Sequence, residues 1–427
     1  MNLRIRWRTA LLAICLTGSW GAFAAEPAGA PEDMMPVVPG WQAVIDDLEV
    51  LPARLLAQLP AAMRDDPLIR QEVARLALQA FTASAISALG GYGDHPVFLP
   101  TIGELLNVGQ PNADTLYRVA QVTPGGVYRL RGQRGSLTMS VIGQVGPAAA
   151  DPLERRQHLE IGALPVDEDG RFDVLLSVER PGDYRGEWWP LHPQTHSLML
   201  RLVSSDWGKE QEPTVAIERV DVAAEKPRPT AAELEQRWPR LTRSTATLAH
   251  MFIGRVEEMR QKDGVNRLGV MDESASSGGL LDGQFYYEGV YELAEDEALI
   301  LEAVHPSTCA YRSVLLTTEL YQTTDWYNNH SSLNHAQAAP DSDGVLRIVV
   351  SASDPGVPNW LDTAGHPRGV IQGRWTDCAS QPVPSVTKVA LDEVRAHLPP
   401  DTPSVSAEER QRIVRERRAA YQQRRHW

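Results

Sequence analysis

The chain has 427 residues, of which 43% are hydrophobic and 22% charged, and it carries 55 acidic side chains against 41 Lys and Arg for a net charge of −14. That balance disfavours nonspecific binding to nucleic acid or to anionic membranes over most of the surface. The length supplies two or three domains' worth of core.

The first residues have the pattern of an export signal, 1–24. Arg4, Arg6 and Arg8 form a basic start, 10–16 is a short apolar run, and Ala22-Phe23-Ala24 fits a small-x-small cleavage site. Its removal takes three arginines and no acids, moving the charge from −14 to −17. The run is too short to span a bilayer, and no later unbroken apolar run reaches eighteen residues. A periplasmic or secreted protein with no transmembrane segment is expected. Cys15 leaves with the signal, so only Cys309 and Cys378 remain. In an oxidising compartment the simplest reading is one disulfide; two separate buried thiols is the alternative.

Residues 25–100 form an N-terminal helical region. Asp66-Pro67 is a start signal with Pro at the first helical position, Leu68, Ile69, Val73, Leu76 and Phe81 recur at helical spacing, and Gly90-Gly91 stops the run. A first β-unit follows over 101–225, where short β-type runs alternate with Pro-Gly, Arg-Gly and Asp-Gly turns. The helical connector, 226–280, opens on a capping box at Thr230 and Glu233 and places Leu248, Met251, Phe252 and Met259 on one face. A flexible joint is expected at 274–279. The second β-unit spans 281–380. The C-terminal helical region, 381–427, carries a second capping box at Ser406 and seven arginines between 406 and 425.

The two β-units echo one another. Residues 169–182 read DGRFDVLLSVERPG and 343–356 read DGVLRIVVSASDPG, so Asp-Gly, an apolar run, Ser and Pro-Gly fall at identical spacing. Each copy runs on into a Trp and then Leu-x4-His, Leu191 to His196 and Leu361 to His366. Asp-Gly favours a two-residue hairpin turn with positive φ at both central positions. The expected fold is mainly β with added helices (α+β): two related antiparallel β-sandwich or jelly-roll-like units with peripheral helices.

No G-x-S-x-G, H-E-x-x-H, P-loop or G-x-G-x-x-G stretch occurs, which argues against the common hydrolases, zincins and nucleotide enzymes. No metal and no cofactor is expected. The Asp-rich turns at 167–173 and 341–344 lack the ligand ladder of a calcium loop and read as plain turns. Three clusters can carry chemistry. In QPNADTLYR (110–118), Asn112, Asp114 and Tyr117 offer an amide, a carboxylate and a phenol, or simply a turn that launches a strand. In YQTTDWYNNHSSLNH (321–335), Asp325, Trp326, His330 and Asn334 mix aromatic faces with directional hydrogen-bonding groups, a mixture that suits a sugar and also a surface loop. In DPGVPNWLDTAGHPRG (354–369), Trp360 is followed by Asp362 and His366 four residues apart. There a carboxylate can orient an imidazole for general-base work, or Asp362 caps a turn while His366 packs under Trp360.

At N-A-D-T-L-Y (112–117), P-N-W-L-D-T-A-G-H (358–366) and Arg374-Trp375 the chain resembles bacterial proteins grouped as domains of unknown function 1214 and 1254. Those typically read N-P-D-T-x-Y, where this chain has Ala113 in place of the proline. The resemblance implies a β-sandwich core with added helices, often in exported proteins, and brings no activity with it.

These readings lead to an exported β-rich protein that binds a small polar or amphipathic ligand, carbohydrate among the options, between its two β-units. A hydrolase or lyase using Asp114, Asp362 and His366 as acid–base groups is the alternative. An envelope structural protein is the third, with the Arg-rich helix making a self-association contact. For that helix, docking onto the chain's own acidic surface or onto a partner subunit is the cheaper explanation.

Overall fold

A computed structural model describes residues 37–147, 156–271 and 283–426, and residues 40–427 cluster as one unit. The export signal at 1–24 and the joint expected at 274–279 lie outside the described residues.

Helices α1 (Trp41–Leu56), α2 (Ala61–Asp65) and α3 (Pro67–Gly90) open the fold. Asp66 caps α3 by accepting from the Leu68 and Ile69 amides at 2.7 and 3.4 Å, and Pro67 follows at the first helical position, where no amide is needed. By length and composition α3 is apolar enough to cross a bilayer. Its Ile69, Val73, Leu76, Ala80 and Ala83 pack in one cluster with Leu51 and Leu55 of α1 and with Ala249. The connector forms α4 (Ala231–Glu235), α5 (Trp238–His250) and α6 (Arg255–Asp263). Its capping box is present, with the Glu233 amide bonded to Thr230 Oγ1 and the Thr230 amide to the Glu233 carboxylate. The single apolar face expected there is broken, because the helix stops at His250: Met251 is exposed, while Phe252 and Met259 pack in a different cluster from Leu248.

The first β-unit holds β1 (Leu99–Ile102), β2 (Thr115–Gln121), β3 (Tyr128–Gln133), β4 (Met139–Val145), β5 (Leu159–Glu160), β6 (Arg171–Ser177), β7 (Glu187–Pro190), β8 (Ser197–Val203) and β9 (Thr214–Arg219). Their sheets run β1-β2-β8-β4-β5 and β7-β6-β3-β9. The second unit holds β10 (Gly269–Val270), β11 (Gln284–Glu292), β12 (Glu297–Val304), β13 (Cys309–Thr317), β14 (Ser332–Asn334), β15 (Val345–Ser351), β16 (Trp360–Asp362), β17 (Arg368–Cys378) and β18 (Ser385–Ala390). Its sheets run β10-β11-β17-β13-β14 and β16-β15-β12-β18. Adding nine to every strand of the first unit reproduces the second. Sequence-distant strands lie side by side in both (β8 between β2 and β4, β3 between β6 and β9), as in jelly rolls.

Within each unit one face of each sheet supplies the core. Leu116, Ile142, Leu198, Leu200 and Leu202 meet Tyr128, Leu130, Phe172, Val174 and Leu176 in the first; Tyr287, Val314, Leu316, Ile371 and Trp375 meet Leu299, Leu301, Ile348 and Val350 in the second. The period of two then turns Thr115, Tyr117 and Arg201, and likewise Tyr286, Glu288, Gln372 and Arg374, to the opposite faces.

The echo is structural. The Gly170 amide bonds to the Asp167 carbonyl at 3.0 Å and the Gly344 amide to the Asp341 carbonyl at 2.9 Å. Only the glycines of these two turns take positive φ, 76° and 79°, so they are not the hairpin turns with two left-handed residues expected from Asp-Gly. The β6–β7 and β15–β16 registers match Ser177 to Ser351, Trp188 to Trp360 and Pro190 to Asp362. The Leu-x4-His correspondence fails by register. His196 immediately precedes β8 and matches Pro367 rather than His366, and Leu361 matches Trp189. Cys309 and Cys378 are register partners of β13 and β17 and form the disulfide, Cα to Cα 3.9 Å.

Candidate functional site

The N-A-D-T turn lies where the two units meet. Asn112 sets the turn by accepting the Asp114 amide on its Oδ1 at 3.4 Å, and its Nδ2 donates to Thr115 Oγ1 at 3.1 Å and to the Tyr311 phenol oxygen at 2.9 Å. Asp114 is buried. Its Oδ1 accepts from Trp207 Nε1 at 2.9 Å and from Asn334 Nδ2 at 2.8 Å, and its Oδ2 accepts from the Tyr311 hydroxyl at 2.6 Å. Burial raises its pKa, while the bonds from Tyr311 and Asn334, the charge of Arg417 and the bond from Trp207 oppose that rise. A carboxylate with three donors already on it is built to join elements. Ala113 packs in one small cluster with Trp207, Trp326 and Tyr421, a space the smaller side chain suits.

Beside this turn each half presents a tyrosine–arginine pair, at strand positions offset by two in the register the units share. Tyr117 of β2 is the register partner of Arg201 of β8, and Tyr286 of β11 is the register partner of Arg374 of β17. The four interact: burial lowers the Arg201 pKa, Tyr117 and Tyr286 act in the opposite sense, and Arg374 adds to the lowering. The Arg374 guanidinium stands 5.0 Å from the Tyr286 ring centroid and donates to Gln372 Oε1 at 2.8 Å, yet its Nε, buried, has no partner. Gln372 also donates to Gln110 Oε1 at 2.5 Å and to the Tyr321 hydroxyl at 3.2 Å. Glu288, next along the same face, is taken by Arg255 and by the Tyr321 hydroxyl, both at 2.5 Å. Arg374 thus enters the seam beside Asp114, a carboxylate whose oxygens other donors already hold.

The other expected site residues divide. Asn334 joins Asp114 directly. Trp326 packs in the cluster with Trp207 and Tyr421. Asp325 folds its own loop, accepting from the Asn328 amide and side chain at 3.1 and 2.7 Å. His330 stacks on Trp360 with ring centroids 6.1 Å apart and hydrogen-bonds the Trp360 carbonyl at 2.6 Å through Nδ1. His330, not His366, is the histidine against Trp360. Asp362 accepts the Ala364 amide at 2.8 Å, closing the turn in which Ala364 takes φ 54°. His366 is half-buried, its carbonyl accepting from the Tyr291 hydroxyl at 3.1 Å. Burial first raises the Asp362 pKa and lowers that of His366, and no bond between the two side chains is present. Asp362 and His366 therefore make a separate set of contacts from Asp114.

Helix α7 (Ala407–Gln422), capped by Ser406 accepting the Glu409 amide at 3.2 Å, is docked on its own chain. Arg410 binds Asp354 at 2.8 Å, and Arg417 donates to the Trp326 carbonyl and to Ser332 Oγ. Just beyond the helix Arg424 reaches the Asp114 carbonyl at 2.9 Å, the Leu202 carbonyl at 3.0 Å and Glu212 at 2.8 Å. Arginines of this helix and of the residues just after it therefore bind both β-units.

Sequence reading passed over Arg201, Tyr286 and Tyr311. A signal for the first was present, a lone arginine inside the apolar strand SLMLRLV. Tyr311 bore none, since nothing local marks which tyrosine meets a carboxylate 197 residues away. Among the described residues no group of three or more His, Cys, Asp or Glu is placed to hold a metal ion.

Residues 136–206 match the family described as "Protein of unknown function (DUF1214)", a segment running from before β4 to just past β8. The N-A-D-T-L-Y and P-N-W-L-D-T-A-G-H stretches lie outside it. The chain is DUF1214-like over that segment. Among solved structures, an uncharacterized protein from Burkholderia cenocepacia is 27% identical, with 84% of this chain and 98% of that one covered at a TM-score of 0.75, and so shares the fold. A protein from Vibrio parahaemolyticus is 12% identical over 80% of this chain and 100% of its own, at a TM-score of 0.41. No curated protein matches the chain.

Proposed function

We propose that the protein is an exported binder of a small polar ligand held in the seam between its two β-units, and that the ligand is hydroxylated and carries a carboxylate, as an acidic sugar does. The observation that carries this reading is the pair of Tyr–Arg couples, Tyr117 with Arg201 and Tyr286 with Arg374, with the buried Arg374 Nε left unpartnered. A guanidinium fork matches a carboxylate, and phenol rings offer flat faces and a hydroxyl to a sugar. Export is supported by the signal-like start and by the Cys309–Cys378 bridge, which suits an oxidising compartment. The hydrolase or lyase reading has less support, because the Asp114 oxygens are occupied and Asp362 is spent on a turn. An assembly role for the Arg-rich helix loses its motive once that helix docks at home.

Calorimetric titration of the purified protein with glucuronate and with glucose tests the reading. Binding of glucuronate in preference to glucose, weakened at least tenfold by Arg201→Met with the melting curve retained, is expected. No heat with either sugar, or equal affinity in the variant, overturns it.

A further inference from the structure

A concave site lies at the end of α3. The loop after that helix and the segment leading into α4 enclose a cleft of about 350 Å³, and past Arg237 and Arg240 it adjoins a recess of about 220 Å³ that reaches Ser84. The rim is cationic in a chain whose net charge is −14. Lys226, Arg228, Arg237 and Arg240 line the cleft, and none of them forms an ion pair among the described residues. Its two acids are committed elsewhere. Asp94 is bound by Arg219 and by Thr123 Oγ1 at 2.7 Å, and Glu233 closes the α4 capping box.

Local structure fixes these cations. Lys226-Pro227-Arg228-Pro229 alternates charge with proline, whose ring locks φ, so the two side chains are borne on a stiff segment. The Tyr92 ring holds Lys226 Nζ 3.0 Å and the Arg237 guanidinium 3.9 Å from its centroid. Arg237 also donates to the Ala88 and Gly91 carbonyls, tying off the end of α3. Arg237 is therefore wall, and Lys226, Arg228 and Arg240 bring charge with no carboxylate to answer it. At the inner recess Ser84 is 2% exposed and its Oγ has no partner.

We propose that this cleft binds a phosphate-bearing small molecule, with Lys226, Arg228 and Arg240 on the phosphate oxygens and the rest of the molecule reaching toward Ser84. Three cations on separate stems suit an anion with several oxygens, and a positive cleft in an acidic surface concentrates such anions.

Titration with inorganic pyrophosphate tests the proposal, set beside co-sedimentation with phosphatidylglycerol vesicles. Lys226→Gln/Arg228→Gln/Arg240→Gln is expected to weaken pyrophosphate binding at least tenfold. The control Arg64→Gln/Arg185→Gln/Arg415→Gln, which removes equal charge elsewhere, leaves it within twofold. Arg201→Met also leaves pyrophosphate binding unchanged, because the seam is a separate site. Equal loss in the two triple variants, or binding to vesicles alone, overturns the proposal.

Discussion

Asp114 of the first β-unit and Tyr311 of the second share a 2.6 Å hydrogen bond across 197 residues of sequence. With Asn334 and Trp207 on the same carboxylate, it pins the launch of β2 to the β13–β14 edge of the other half. Asp114→Ala strands three buried donors, and a loss of about 3–5 kcal/mol is expected from removing one side of such a network. Asp114→Asn keeps an acceptor for Trp207 and lets the Tyr311 hydroxyl turn, so it costs less. Urea unfolding curves of the two variants check the order.

The end of α7 makes a related claim. Arg424 and Glu212 are both buried and paired at 2.8 Å, and Arg424 also caps two carbonyls of the first unit. Arg424→Ala takes from Glu212 its direct partner, leaving only the nearby charge of Arg118, strands the Asp114 and Leu202 carbonyls, and is expected to cost about 3–5 kcal/mol. Adding Glu212→Gln restores part of that loss. A double-mutant cycle by urea denaturation reads a coupling of about 1–3 kcal/mol, and strict additivity would reduce the pair to a surface contact.

Acid should loosen the 330–360 corner. His330 is held neutral, its pKa lowered to about 3 by burial first and then by Arg417 and Arg410. The unfolded chain takes up a proton near pH 6.5, which the folded chain refuses until about pH 3. Between those values the unfolded state binds more protons, so stability falls as pH falls, by at most about 1.4 kcal/mol per pH unit from this group. His196, His250, His305, His335 and His366 are shifted in the same direction, burial being the first cause in each, and add to the slope. Stability measured from pH 4 to 8 should flatten in His330→Gln relative to the parent. An unchanged slope would mean that other groups carry the acid sensitivity.

What could be read in advance follows from range. The α3 start, the α4 capping box and the DGRFDVLLSVERPG echo depend on neighbours a few residues apart, and the expected α+β fold with two related β-units is present. Asn112, Asp114, Tyr117 and Asn334 were singled out because polar residues in a turn or beside an aromatic run are conspicuous. Their contacts were not readable, since Asp114 meets Tyr311, Asn334 and Arg424 from strands and from the segment after α7, all far along the chain. The Leu-x4-His match went astray for a related reason: unequal loops conserve spacing by eye while the strand register shifts by one. The Arg-rich helix could be expected to find acids, and in the structure carbonyls serve it as often as carboxylates do.

The repeat gives the last prediction. Trp188 Nε1 donates to Ser177 Oγ at 2.9 Å, and Trp360 Nε1 donates to Ser351 Oγ at the same distance. Each serine hydroxyl passes its own proton to the carbonyl two residues on, Glu179 or Ser353, at 2.7 Å. The relay ties the corner after β6 to β7, and the corner after β15 to β16, without using any backbone ladder bond. A serine to alanine change removes one acceptor and one donor, about 1–3 kcal/mol where the tryptophan is left without a partner. Trp360 is buried and Trp188 only half-buried, so water can replace the lost acceptor at the first corner but not at the second. Ser351→Ala should therefore cost more than Ser177→Ala, though the bonds removed are the same. Urea unfolding of the two single variants decides this; equal losses would show that the relay, rather than the burial of its tryptophan, sets the cost.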